Sequence, residues 1–125
     1  MAPTTIKKRS DFLWVRGGRR WSAAAFVLEA RVRQKDEAAS EPARFGYTVS
    51  KKVGGAVVRN RVRRRLRALT AGLDPQQMRP GFDYVIIART GAIARNFADL
   101  KADLDQALTR IHQAPGQKRR GQANA

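Results

Sequence analysis

Hydrophobic positions recur with a helical period in three stretches of the chain and alternate or run together in three others. Ser10 precedes Asp11-Phe12-Leu13-Trp14-Val15-Arg16, which predicts a short helix with a hydroxyl cap and an acid in its first turn; Gly17-Gly18 ends it. Phe26, Leu28, Ala30 and Val32 alternate with Val27, Glu29 and Arg31, the pattern of a strand with one buried face. Residues 34–43 are polar and contain Pro42, a connecting loop. Phe45, Tyr47 and Val49 then alternate with Arg44, Gly46, Thr48 and Ser50 in a second strand whose first set faces the core. Gly54-Gly55 turns the chain into a long helix from Ala56 to Ala71, closed by Gly72. Residues 74–82, with Pro75, Pro80 and Gly81, read as loop. Tyr84-Val85-Ile86-Ile87-Ala88 is apolar throughout and reads as a central strand buried on both faces. Asn96 caps a final helix marked by Phe97, Leu100, Leu104, Leu108 and Ile111. The pattern is an α+β sandwich with a small sheet. Residues 7–113 form one domain, 1–6 are a flexible N-terminus, and 114–125 are a flexible basic tail containing Lys118, Arg119 and Arg120.

Charge changes this picture more than length does. The 125 residues carry 26 Lys plus Arg against 10 Asp plus Glu, a formal net charge of +16. Such an excess repels itself and favours a polyanionic partner, nucleic acid first and an anionic membrane surface second. The absence of cysteine excludes disulfides, thiolate nucleophiles and cysteine zinc sites. A single histidine, His112, excludes multi-histidine metal centres and reads as a half-exposed helix residue. No apolar run reaches the roughly 20 residues of a membrane span, nor the h-region of a signal peptide. The expected location is the cytoplasm.

The acids are unevenly placed. Pro42 to Leu73 contains no Asp or Glu and nine Arg or Lys, six of them within nine residues: Arg59, Arg61, Arg63, Arg64, Arg65 and Arg67. On a helical wheel Val58, Val62, Leu66 and Leu69 fall within about 80° of one another, a narrow docking stripe that leaves the rest of the circumference to arginine. A solvated face would mix signs to relieve repulsion between neighbouring turns. Unrelieved arginine suits phosphate, which its planar fork grips in bidentate fashion. In the strands, Arg44, Thr48, Ser50 and, if the strand continues, Lys52 share the face opposite the core, as do Val27, Glu29 and Arg31. That face suits either a single nucleic acid strand or plain solvent. Lys7, Lys8, Arg9, Arg16, Arg19 and Arg20 flank Phe12, Trp14 and Trp21, which pairs phosphate neutralisation with base stacking, although some of these rings belong in a core.

The run from Gly46 to Arg61, Gly-Tyr-Thr-Val-Ser-Lys-Lys-Val-Gly-Gly-Ala-Val-Val-Arg-Asn-Arg, resembles the signature of the bacterial ribonuclease P protein component, with its Arg-Asn-Arg box and further basic residues to Arg67. The resemblance extends over residues 7–112. It implies an αβββαβα two-layer sandwich with a small mixed sheet and a left-handed crossover at the arginine-rich helix, against the usual right-handed rule. It also implies a holoenzyme in which a catalytic RNA subunit performs Mg2+-dependent endonucleolytic removal of the 5′ leader of precursor tRNA, with the metal held mainly by RNA and one protein per RNA. By position, Arg59, Asn60, Arg61, Arg63, Arg64 and Arg67 would contact the catalytic RNA. Phe12, Val27, Thr48, Ser50, Lys51 and Lys52 would line or flank the leader cleft, and no residue of the protein would be catalytic. The second aromatic that many relatives carry one helical turn after Phe12 is here Arg16, or is lost in the shortened Arg16-Gly17-Gly18 segment, and Glu29 stands where some relatives have an aromatic, which leaves stacking weaker or passed to Trp14.

Other chemistries fare less well. Asp99 and Asp103, at i and i+4, could hold a metal, but Asp99 opposes a helix dipole and Asp103 continues a solvated face. Gly54-Gly55 lacks the order of a phosphate-binding loop. No dimerisation element of a two-fold DNA reader is present, and the apolar stripe of the arginine-rich helix is narrow and lacks the bulky aromatic face of a membrane-surface helix, so neither DNA nor membrane is an expected partner. A ribosomal-type structural RNA-binding protein is the alternative that composition leaves open.

Overall fold

The computed structural model describes residues 3–33 and 41–113. The proposed tail at 114–125, residues 1–2 and most of the 34–43 loop lie outside them. Five strands form one mixed sheet: β1 (Thr4–Thr5), β2 (Arg19–Ser22), β3 (Phe26–Val32), β4 (Arg44–Thr48) and β5 (Phe82–Ala88), in the order β1-β4-β5-β3-β2. Three helices accompany it: α1 (Arg9–Arg16), α2 (Ala56–Ala71) and α3 (Phe97–Ile111). The α+β class is as expected. β2, β3 and β5 are antiparallel, whereas β4 runs parallel to both β1 and β5 and connects to β5 through α2.

Apolar stripes decide the layers. Val62, Leu66 and Leu69 of α2 and Leu100, Leu104 and Leu108 of α3 bury against Phe26, Leu28, Phe45, Tyr84 and Ile86 on one sheet face. On the other face Val15 of α1 packs with Ile6 and Val85, flanked by Phe12 and Ile87. β5 therefore contributes alternate side chains to both cores, which explains its unbroken apolar run.

Several expectations need correction. Residues 4–6 are not loose: Thr4 and Thr5 pair with Arg44 and Phe45, and Ile6 is buried. Lys8, not Ser10, occupies the N-cap of α1, with no side-chain cap; Ser10 lies in the first turn. β3 has no open face over Phe26–Ala30, because α1 lies across β3 and β5. Glu29 is only 3% exposed, and its carboxylate accepts from Arg20 Nη1 at 2.7 Å. Burial raises the Glu29 pKa, against the lowering pull of Arg20 and Arg16. Arg44 is not a free cation: its Nε and Nη2 donate to the Asp83 carboxylate at 2.9 and 2.7 Å, and Arg33 Nε donates to the same group at 2.8 Å. Asp83 is 1% exposed, so two guanidinium groups neutralise a charge that burial alone would penalise. Phe97, assigned to the apolar face of α3, is 43% exposed because it lies in the first turn, at the helix end.

Candidate RNA interface

Gly55 is the N-cap of α2, which therefore has no side-chain cap, and its first turn carries no acid. Its unsatisfied N-terminal amides thus add partial positive charge to the arginines rather than being offset. With Val62, Leu66 and Leu69 anchored, the 100° step per residue sends the remaining side chains in three directions. Asn60, Arg61, Arg64 and Arg67 are exposed on the outer arc. Arg59 and Arg63 lie on one flank; Arg59 Nε donates to the Gly54 carbonyl at 3.1 Å, and Arg63 Nη1 to Asn60 Oδ1 at 3.3 Å. Arg65, on the other flank, turns inward and donates to the Arg95 carbonyl ahead of α3. Among the described residues none of the six arginines forms an ion pair, whereas Arg20, Arg33, Arg44 and Arg95 all do. The helix therefore presents uncompensated positive charge, whose repulsion a phosphate backbone would relieve.

A cleft of about 450 Å³ opens between α1 and β4. Phe12, Leu13 and Arg16 form its α1 wall, with Lys7 and Arg9 at the rim. Tyr47, Thr48 and Val49 supply the β4 side, and Arg63 reaches in from α2. Phe12 enters because β4 carries no side chain opposite it. A Cβ on Gly46 would stand 2.5 Å from Phe12 Cε1 and 2.6 Å from Cζ. A ring beside guanidinium and ammonium groups offers base stacking and phosphate contacts in one groove.

The Ribonuclease P family profile matches residues 2–112. The chain belongs to the ribonuclease P protein family. It is 46% identical to the ribonuclease P protein component of Ruegeria pomeroyi over 110 residues, which cover 87% of this chain and 86% of the relative. It is 42% identical to that of Erythrobacter litoralis over 118 residues, 94% and 93% of the two chains. Among solved structures, the RNase P protein from Thermotoga maritima matches with a TM-score of 0.71 at 26% identity, covering 86% of this chain and 97% of that one. The Staphylococcus aureus RNase P protein matches with a TM-score of 0.70 at 26% identity, over 86% and 94%.

The ribonuclease P resemblance named residues that the fold distributes unevenly. Phe12 and Thr48 meet in the cleft; strand parity put Thr48 on that face, and the resemblance alone put Phe12 there. Val27 shares a row with Thr48 and Ile87 across the sheet but is 4% exposed, so it supports the face without offering surface. Ser50, Lys51 and Lys52 are exposed in the turn between β4 and α2, beyond the end of the strand and outside the cleft lining. Trp14 does not replace a cleft aromatic: its Nε1 donates to the Val32 carbonyl at 2.8 Å, and the Arg31 guanidinium covers its ring at 3.4 Å from the centroid. Tyr47 and Leu13 are cleft residues that pattern reading missed. The sequence signal for Leu13 is the unbroken run Phe12-Leu13-Trp14-Val15 on a short helix, since one helix face cannot bury four consecutive apolar residues.

One further side chain differs from expectation. Asp103 is not part of a free solvated face; Arg95 Nε donates to its carboxylate at 2.6 Å. His112 is the C-cap of α3, and its ring is half-buried against Phe82 and Tyr84. The Tyr84 hydroxyl accepts from the Arg79 amide at 2.9 Å and shares a hydrogen bond of 2.7 Å with His112 Nε2. Burial, followed by the nearby charges of Arg79 and Arg19, lowers the His112 pKa to about 4.

Proposed function

We propose that the chain serves as the protein subunit of ribonuclease P, binding the catalytic RNA through the outer arc of α2 and the 5′ leader of precursor tRNA through the α1–β4 cleft. Family membership supports the holoenzyme role. The observation that carries the division of labour is the arginine helix, which lacks carboxylate partners among the described residues and whose Arg63 extends into the cleft.

In this reading Arg61, Arg64 and Arg67, with Asn60, meet phosphates and groove edges of the catalytic RNA, while Arg59 and Arg63 line the passage to the cleft. Phe12 stacks an unpaired leader base, Thr48 contacts the backbone, and Lys51 and Lys52 add positive charge where the chain turns into α2. The chemistry is left to the RNA and to magnesium that it holds. No group of three or more acidic, histidine or cysteine side chains gathers among the described residues, and the acid-free face of α2 repels a bare cation. The left-handed sense of the β4–α2–β5 connection, one protein per RNA and a cytoplasmic location belong to the same reading. No helix among the described residues is long and apolar enough to cross a membrane.

Binding to the cognate catalytic RNA, challenged with duplex DNA of equal charge, tests the assignment of partner. The RNA should be retained in the presence of DNA. Equal displacement by DNA would reduce the arginine face to a general polyanion binder and overturn the reading.

A further inference from the structure

One wall of the cleft comes from the core-facing side of a strand. β1 ends at Thr5, opposite Phe45, and the Ile6 amide makes the next bond to the Phe45 carbonyl at 2.9 Å. Past that point β4 is the edge of the sheet among the described residues. Tyr47 shares a parity with buried Phe45, yet at this edge its ring is only half buried and lines the same cleft as Phe12 and Thr48. The groove therefore wraps around the edge of β4, from α1 on one face toward α2 on the other.

The ring is held at its far end. Thr70 Oγ1 donates to the Arg67 carbonyl at 3.1 Å, so its remaining capacity accepts the Tyr47 hydroxyl at 2.6 Å. The Arg67 guanidinium lies 5.9 Å from the ring centroid, and Arg63 borders the groove beside it. A pre-positioned ring loses little freedom on binding, and cations beside it can neutralise the phosphate that accompanies a stacked base.

We propose that Tyr47 is a second stacking platform of the leader cleft, receiving an unpaired leader nucleotide where the strand rounds the edge of β4, with Arg63 on its phosphate. The proposal rests on the leader-cleft reading above and extends it to a residue on the α2 side.

The test uses holoenzyme reconstituted with the cognate catalytic RNA and compares precursor with mature tRNA for Tyr47→Leu, Tyr47→Phe and Phe12→Ala. Tyr47→Leu keeps apolar volume and removes the ring; it should weaken precursor binding on the order of tenfold and leave mature tRNA binding unchanged. Tyr47→Phe keeps the ring and removes the bond to Thr70; it should bind precursor like the parent. A fluorescent purine placed in the leader should be quenched by the parent and the Phe variant and not by the Leu variant, a readout that does not depend on the mutant's stability alone. Parent-like precursor binding by Tyr47→Leu, with loss in Phe12→Ala, overturns the role of Tyr47 and leaves the cleft reading intact. Parent-like binding by both overturns the two together. Equal losses in the Leu and Phe variants would make Tyr47 a prop for α2 through Thr70, which also overturns the proposal.

Discussion

The ring of Phe12 occupies the space that any side chain at Gly46 would need, with Cε1 only 2.5 Å from an ideal Cβ there. The α1–β4 cleft depends on this contact, because the ring stands against the backbone of β4 and leaves the neighbouring Thr48 exposed beside it.

Replacing Gly46 with Ala should push the Phe12 ring off the strand, destabilise the fold by about 1–3 kcal/mol and weaken precursor tRNA binding more than mature tRNA binding. The stability loss should shrink when Phe12 is already Ala, since the clash is then gone. A double-mutant cycle by urea unfolding reads the coupling. Additive losses would mean that the ring moves aside without cost.

The arginines of α2 should separate by direction rather than by sequence neighbourhood. Arg61→Ala and Arg64→Ala each remove an outward cation and should lower the slope of log affinity for catalytic RNA against log salt by about 0.7–0.9. Arg65→Ala should leave that slope unchanged and lower the unfolding midpoint, because its guanidinium is bound to the Arg95 carbonyl. Salt titrations of RNA binding, with thermal unfolding in parallel, check the contrast. A reduced slope in Arg65→Ala would show that this side chain also leaves the protein to meet RNA.

Acid should loosen the end of α3. The folded-state pKa of His112 is lowered to about 4, below the ordinary value of 6.5, by burial and by the charges of Arg79 and Arg19. The unfolded chain therefore binds the extra proton first, and stability contributed by the neutral ring falls progressively as pH drops from about 6.5 to about 4. Above that window the contribution is fully present. His112→Gln should show a shallower loss of stability over the same range, measured by urea unfolding at successive pH values. An unchanged pH dependence would remove His112 from the account.

Much of this architecture is legible along the chain because local periodicity and packing agree. α2 spans Ala56–Ala71 between glycines, and β3 spans Phe26–Val32, as their patterns require. The residues that escaped owe their state to partners distant in sequence. β2 is a polar strand whose Arg19-Arg20-Trp21-Ser22 run carries no alternation of apolar residues, and it exists by pairing with β3. Val27 and Glu29 look solvent-facing by parity, and they are buried because α1 crosses that face. Tyr47 shows the converse: parity gives the face of a strand but not whether the strand lies at an edge, so a core-side ring reaches the cleft. The arginine cluster was visible as charge, whereas the inward turn of Arg65 depends on a carbonyl 30 residues away.

The central claim is that this chain assists an RNA catalyst by supplying positive charge and leader contacts. Cleavage of precursor tRNA by the cognate catalytic RNA at low magnesium, with and without the protein, tests it most directly. The account predicts faster cleavage or tighter precursor binding when the protein is present, and a smaller gain for an Arg61→Ala, Arg64→Ala double variant. No change in rate or substrate affinity on adding the protein would contradict it.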